Sequence, residues 1–196
     1  MKHKIALLGL GTVGLGTYQL IEKNSKTILE NTGAEVEVKY ALVKNAAKAR
    51  PVPAEVITTD FDTIVNDPEI ELVAEAMGGT QPALSYALAV LNAGKGYVTA
   101  NKELISKHWE ELEQAAAKTG AALYFEASVA GAVPVIKAVT DSLSANNING
   151  VMGIINGTTN YILSKMSEEG MDYADALKQA QELGYAEPDP KNDVEG

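Results

Sequence analysis

The sequence predicts an α/β chain: a doubly wound parallel sheet followed by part of an α+β domain. Short apolar runs alternate with helically spaced apolar residues over about the first 125 positions, which implies parallel strands joined by right-handed helical crossovers. The first run ends in a glycine-rich turn, Gly9-Leu-Gly-Thr-Val-Gly14, and the alternation changes character after Phe125 with no low-complexity linker. The 196 residues, 46% hydrophobic and 21% charged, match a globular chain able to bury a core, long enough for one such domain and part of another.

Lys4–Gly9 is a short apolar strand, and Thr12 to Glu30 carries apolar residues at helical spacing. Glu35–Val43 alternates and then becomes continuously apolar, the pattern of a strand covered on both faces toward its C-terminal end. Val56–Thr59 is a weaker strand before a short helix at Phe61–Asn66. Ile70–Ala76 reads as a buried strand leading to Gly78-Gly79, Gln81–Ala93 as a helix closed by Gly94, and Gly96–Thr99 as the next strand. A helix from about Lys107 to Thr119 leads to a strand at Ala121–Phe125. Ala132–Leu143 then reads as a helix, Asn147–Ile155 as a strand, and Tyr161–Glu169 and Tyr173–Leu183 as helices. The change of pattern divides the chain near Ser128, into 1–128 and a second group of elements, 129–196.

The absence of cysteine removes disulfides, thiolate metal sites and cysteine nucleophiles. A net charge of −10 has the wrong sign for a chain that neutralises nucleic-acid phosphates. No uncharged run approaches the roughly 18 apolar residues of a membrane span. Met-Lys-His-Lys leads directly into a strand, so the expectation is a cytoplasmic protein without a cleaved signal.

Gly9-x-Gly11-x-x-Gly14 follows a strand and opens a helix, the setting in which this spacing binds a dinucleotide. The first glycine makes the tight turn, the second lets backbone approach a pyrophosphate, and the third packs helix on strand. The first domain is therefore expected to be a Rossmann-type dinucleotide-binding domain. The second strand ends in Leu42-Val43-Lys44 rather than in the carboxylate that holds the ribose of NAD, so Lys44 points toward NADP or dual use. Chemistry in such sheets lies beyond the carboxyl ends of the strands, which directs attention to Gly78-Gly79 and to Thr99-Ala-Asn-Lys102. A lysine held beside a cofactor can be tuned to move a proton near neutral pH, and Lys102 is the candidate. His3 and His108 lie in polar, surface-type settings.

Three further segments complete a pattern: Glu126-Ala-Ser-Val-Ala-Gly-Ala-Val-Pro134, Gly153-Ile-Ile-Asn-Gly-Thr-Thr-Asn-Tyr-Ile-Leu163 and Leu183–Gly196. With Gly9–Gly14 and Thr99–Lys102, in this order over the full length, the chain closely resembles homoserine dehydrogenases. The resemblance implies an NAD(P)-dependent oxidoreductase acting on a CH–OH group, interconverting L-homoserine and L-aspartate 4-semialdehyde on the way to threonine and methionine. By position it implies that Leu10, Thr12, Val13 and Lys44 touch the dinucleotide and that Lys102 lies between nicotinamide and substrate. It implies a sodium ion on backbone carbonyls of Glu126, Val129, Gly131 and Val133. Substrate contacts would fall on Glu187 and Asp193, with Asn156 and Thr158 beside them and Thr158 or Thr159 as a helix cap. The family forms dimers through its second domain. Its closing motif continues past Gly196 with an aspartate and the principal acid–base lysine, so the chain reads as an N-terminal fragment that binds nucleotide and turns over poorly alone. The alternative is a non-catalytic dinucleotide-binding module. A sugar dehydrogenase with a similar sheet does not explain Asn156–Leu163 or Leu183–Gly196.

Overall fold

The computed structural model describes residues 2–186 and 190–195. They form two compact units, Met1–Ser142 and Leu143–Gly196. The first is built on a six-stranded, all-parallel sheet in the order β3-β2-β1-β4-β5-β6. The strands are β1 (Lys2–Leu8), β2 (Glu35–Leu42), β3 (Ile57–Thr58), β4 (Ile70–Glu75), β5 (Gly96–Thr99) and β6 (Leu123–Tyr124).

β1 sits at the centre, and its side chains alternate between two cores. Ile5 and Leu7 pack with Val38, Ala41 and, from helix α1 (Thr12–Lys23), Tyr18 and Ile21. Ala6 and Leu8 face the opposite way, joining Val73, Tyr97, Leu84, Ala87 and Leu91 of α4 (Ala83–Asn92) and Leu104 and Leu112 of α5 (Lys102–Thr119). Burial on both faces is why this run is continuously apolar rather than alternating. The strand order reverses between β1 and β4, which opens a crevice beyond their carboxyl ends.

Most expected elements form, with differences that have local causes. The helix expected over 12–30 breaks at Asn24, which leaves helical geometry at φ −109°, ψ 19°, so α1 is followed by a separate α2 (Ser25–Thr32). The helix expected from Lys107 begins at Lys102, because the buried Asn101 side chain accepts the Leu104 N–H and caps it. That helix is kinked where His108 adopts φ −132°, ψ 24°. α3 is a single turn, Asp62–Val65. The expected helix at Ala132–Leu143 is shorter, running as α6 (Val135–Lys137) and a π-helical turn, Ala138–Ser142.

The second unit packs α7 (Gly157–Glu169) against α8 (Tyr173–Glu182) and α9 (Lys191–Val194) around Ile162, Ala176, Ala180 and Ala186. The strand expected at Asn147–Ile155 does not form: these residues are irregular, with Met152 and Ile155 almost fully exposed. A strand holds its shape only when a neighbour satisfies its backbone groups, and every strand among the described residues belongs to the sheet of the first unit.

The amino-terminal end of the sheet is tied by charge. Lys39 Nζ donates to Asp67 Oδ2 at 2.5 Å and to Glu69 Oε2 at 2.6 Å, while Lys4 Nζ reaches Glu69 Oε1 at 2.5 Å. The hydrogen bond from Lys39 holds the Asp67 carboxyl down to about 2, and the two carboxylates raise the Lys39 ammonium. A carboxyl lowered in the folded state stabilises it above its unfolded value of about 4 and loses that contribution as pH falls toward 2. Thermal melts should show this directly: Asp67→Asn is less stable than the parent at pH 7, and the difference between them shrinks from pH 4 to pH 2.

Candidate dinucleotide site

The site begins with a turn in which side chains are excluded. Gly9 lies at φ +95°, a conformation L-residues avoid, and a Cβ there would meet the Ala76 carbonyl oxygen at 3.0 Å. Its N–H donates to the Leu42 oxygen at 3.0 Å, stitching the turn to the end of β2. At Gly14 a Cβ would fall 2.0 Å from the Gly9 oxygen, so only glycine lets α1 pack this close to β1. Gly11 is different: its φ of −79° is ordinary, and a Cβ there would meet nothing within 4 Å. No steric demand of the fold accounts for glycine at position 11.

α1 starts immediately behind this turn without a side-chain cap, and its first ladder bond is Leu15 N–H to Gly11 oxygen at 2.9 Å. The N–H groups of Thr12, Val13 and Gly14 therefore have no acceptor within the helix and, with the dipole, offer an anion site. Val13 is 57% exposed at this helix start.

A cleft of about 430 Å³ lies against the turn, lined by Gly9, Leu10, Gly11, the end of β2 through Lys44, and the loop after β4 with Met77, Gly78, Gln81 and Tyr86. Five of the residues singled out from sequence line it: Gly9, Leu10, Gly11, Lys44 and Gly78. Two more cations, Lys48 and Arg50, line it as well and were not expected. The signal for them is the clustering of Lys44, Lys48 and Arg50 in one short loop of an otherwise acidic chain. Arg50 braces that loop by donating to the Asn45 and Lys48 carbonyl oxygens at 2.9 and 3.0 Å.

Thr12, Val13, Gly14, Gly79, Thr99 and Lys102 are not among the lining residues. Gly78 and Gly79 are both left-handed, at φ 75° and 71°. Thr99 is fully buried; its hydroxyl donates to Glu75 Oε2 at 2.6 Å and accepts the Asn101 N–H at 2.9 Å. Glu75 also accepts the Met77 and Gly78 N–H groups, and Asn101 Nδ2 donates to the Gly79 oxygen at 2.6 Å. Lys102 is exposed at the first position of α5. Burial, and next the charge of Glu75, push the Tyr97 hydroxyl well above its ordinary range, which removes it as a proton acceptor at neutral pH. His3 pairs with Glu71 at 2.8 Å and His108 with Glu111 at 2.9 Å, and neither lines the cleft.

In the loop after the sheet, Ala130 and Ala132 have φ of 54° and 58°, with Gly131 between them at 25°. The Glu126 carboxylate accepts the Ile136 and Lys137 N–H groups at 2.9 and 2.7 Å. The Glu126 and Val133 carbonyls accept from Val129 and Val135, each keeping a second lone pair. Among the described residues, no His, Asp or Glu cluster could hold a metal. In the second unit Asn156, rather than Thr158 or Thr159, caps α7, accepting the Thr159 N–H at 2.8 Å. Asn156 Nδ2 donates to Asp193 Oδ1 at 2.8 Å, and Thr158 donates to the Tyr185 oxygen at 2.5 Å. Glu187 lies outside the described residues.

The parallel sheet, glycine turn and cleft at the strand-order reversal define an α/β protein with a Rossmann-type dinucleotide-binding domain. Residues 9–126 match the family described as homoserine dehydrogenase, NAD binding domain, and residues 134–196 match that of homoserine dehydrogenase. The chain belongs to the homoserine dehydrogenase family. The homoserine dehydrogenase of Bacillus subtilis is 43% identical over 195 residues, which cover 98% of this chain and 45% of that protein. A crystal structure of a homoserine dehydrogenase from Thiobacillus denitrificans superposes with a TM-score of 0.91 at 44% identity, over 99% of this chain and 45% of that one. A hyperthermophilic archaeal homoserine dehydrogenase in complex with NADPH matches with a TM-score of 0.85 at 26% identity, over 100% of this chain and 66% of that one. The chain thus spans about 45% of the length of the curated relatives it matches. Among the described residues, no helix is long and apolar enough to cross a membrane.

Proposed function

We propose that this chain supplies the nucleotide-binding part of a cytoplasmic homoserine dehydrogenase that interconverts L-homoserine and L-aspartate 4-semialdehyde in threonine and methionine biosynthesis. The observation that carries the reading is Gly11, left open on the cleft by a backbone that does not itself need glycine there. The pyrophosphate is held by the turn Gly9–Gly14, with Leu10, Thr12 and Val13 at the helix start. Lys44, Lys48 and Arg50 form the cationic wall suited to a 2′-phosphate, which favours NADP over NAD. The bound nicotinamide supplies hydride exchange with the carbinol carbon of homoserine.

The chain's own contribution to the chemistry is placement and charge. Lys102, a cation in the first turn of α5, serves as the catalytic-side lysine, with Gly78, Gly79 and Thr99 at the strand ends beside the cofactor. In the second unit, Asn156, Thr158, Glu187 and Asp193 serve as substrate contacts, and the bond from Asn156 to Asp193 orients the carboxylate. A sodium ion on the carbonyls of Glu126, Val129, Gly131 and Val133 suits a loop whose acidic side chain is already engaged by backbone N–H groups. A homodimer is part of the same reading, as is a functional boundary near Ser128, which lies inside the compact unit Met1–Ser142.

Titration of the chain by nicotinamide fluorescence tests the cofactor side. NADPH binds more tightly than NADH; Lys44→Ala lowers NADPH affinity about tenfold with little effect on NADH; and Gly11→Val abolishes binding of both. Equal loss of both cofactors in Lys44→Ala would remove the phosphate role from that residue. For the reaction, the 196 residues joined to the C-terminal portion of the Bacillus subtilis relative should reduce NADP⁺ in the presence of homoserine. Cofactor binding without turnover in that fusion would favour the non-catalytic module.

A further inference from the structure

Glu75 closes β4 with 2% exposure, and nothing in the cofactor reading gives it a task. A carboxylate taken from water is costly unless its oxygens are satisfied, and here the donors come from two different loops. Met77 N–H at 2.5 Å and Gly78 N–H at 3.3 Å bind Oε1 from the loop after β4. The Thr99 hydroxyl binds Oε2 at 2.6 Å from the end of β5. Asn101, 6% exposed, carries the connection onward: its N–H donates to the Thr99 hydroxyl oxygen, its Nδ2 to the Gly79 oxygen, and its Oδ1 accepts from Leu104. The loop holding two left-handed glycines is thereby bonded to the residue that caps α5 and fixes where Lys102 begins.

We propose that Glu75, Thr99 and Asn101 are positioning residues that lock the β4 and β5 strand ends into one rigid platform for the nicotinamide half of the dinucleotide. The inference rests on the dinucleotide reading above. In a doubly wound sheet the β1–β3 half serves one nucleotide and the β4–β6 half the other. Lys44 marks the adenosine half at the end of β2, while this network lies wholly at the ends of β4 and β5. Side chains that only stabilised the domain would affect both halves alike.

The test compares NADPH with 2′,5′-ADP, which carries the adenosine half and its phosphate without nicotinamide, using Thr99→Val, Thr99→Ser and Asn101→Asp. Thr99→Val keeps the shape and removes the donor to Glu75. Asn101→Asp keeps the acceptor for Leu104 N–H and removes the donor to Gly79; it serves where the valine variant does not fold. The expected result is an NADPH affinity about tenfold weaker in Thr99→Val and Asn101→Asp, 2′,5′-ADP affinity within about twofold of the parent, and recovery of NADPH binding in Thr99→Ser. Equal weakening of both ligands, unchanged NADPH binding, or no recovery in Thr99→Ser would overturn the proposal. A parent chain that binds neither ligand would instead overturn the dinucleotide reading itself, and is seen before any variant is made.

Discussion

The nucleotide domain depends on one steric condition, the passage of α1 across the end of β1 with no side chain between them. At Gly14 the gap to the Gly9 carbonyl is too small for even a methyl group. Gly9 in turn needs a left-handed φ and shares its space with Ala76 of the neighbouring strand end. These two glycines bring the helix start, whose first N–H groups have no acceptor within the helix, to the point where the strand order reverses. A central strand buried on both faces then holds that arrangement in place.

Charge is distributed to match. The chain carries −10 overall, yet three cations converge on one wall of the cleft. The opposite end of the sheet uses its lysines internally, with Lys39 and Lys4 neutralised by Asp67 and Glu69 and Lys95 donating to the Asp67 and Ile70 backbone oxygens. At the cleft, Arg50 donates to backbone carbonyls rather than to a carboxylate.

Much of this was legible in the residues. The strands were readable because a parallel sheet demands continuous apolar runs, and the tight glycine turn because the spacing of Gly9 and Gly14 reflects close backbone contacts. The break at Asn24 was not readable, since apolar spacing continues across it. The start of α5 was hidden because its cap works through a buried Asn101, and burial of a polar residue leaves no mark in the apolar spacing. Asn147–Ile155 has the composition of a strand, but pairing is a property of two segments, and composition reports on only one. Lys48 and Arg50 were missed because loop residues carry no periodicity. Glu75 was missed because an acid ending a strand looks like an exposed residue until its three donors are located.

The most direct test of the central claim is amide hydrogen exchange on the chain with and without saturating NADPH. The account predicts slowed exchange in two separate segments, 10–15 behind the glycine turn and 77–80 after β4, with residues 161–169 of the second unit unchanged. Uniform exchange in both segments at saturating NADPH, or protection confined to the second unit, would contradict it.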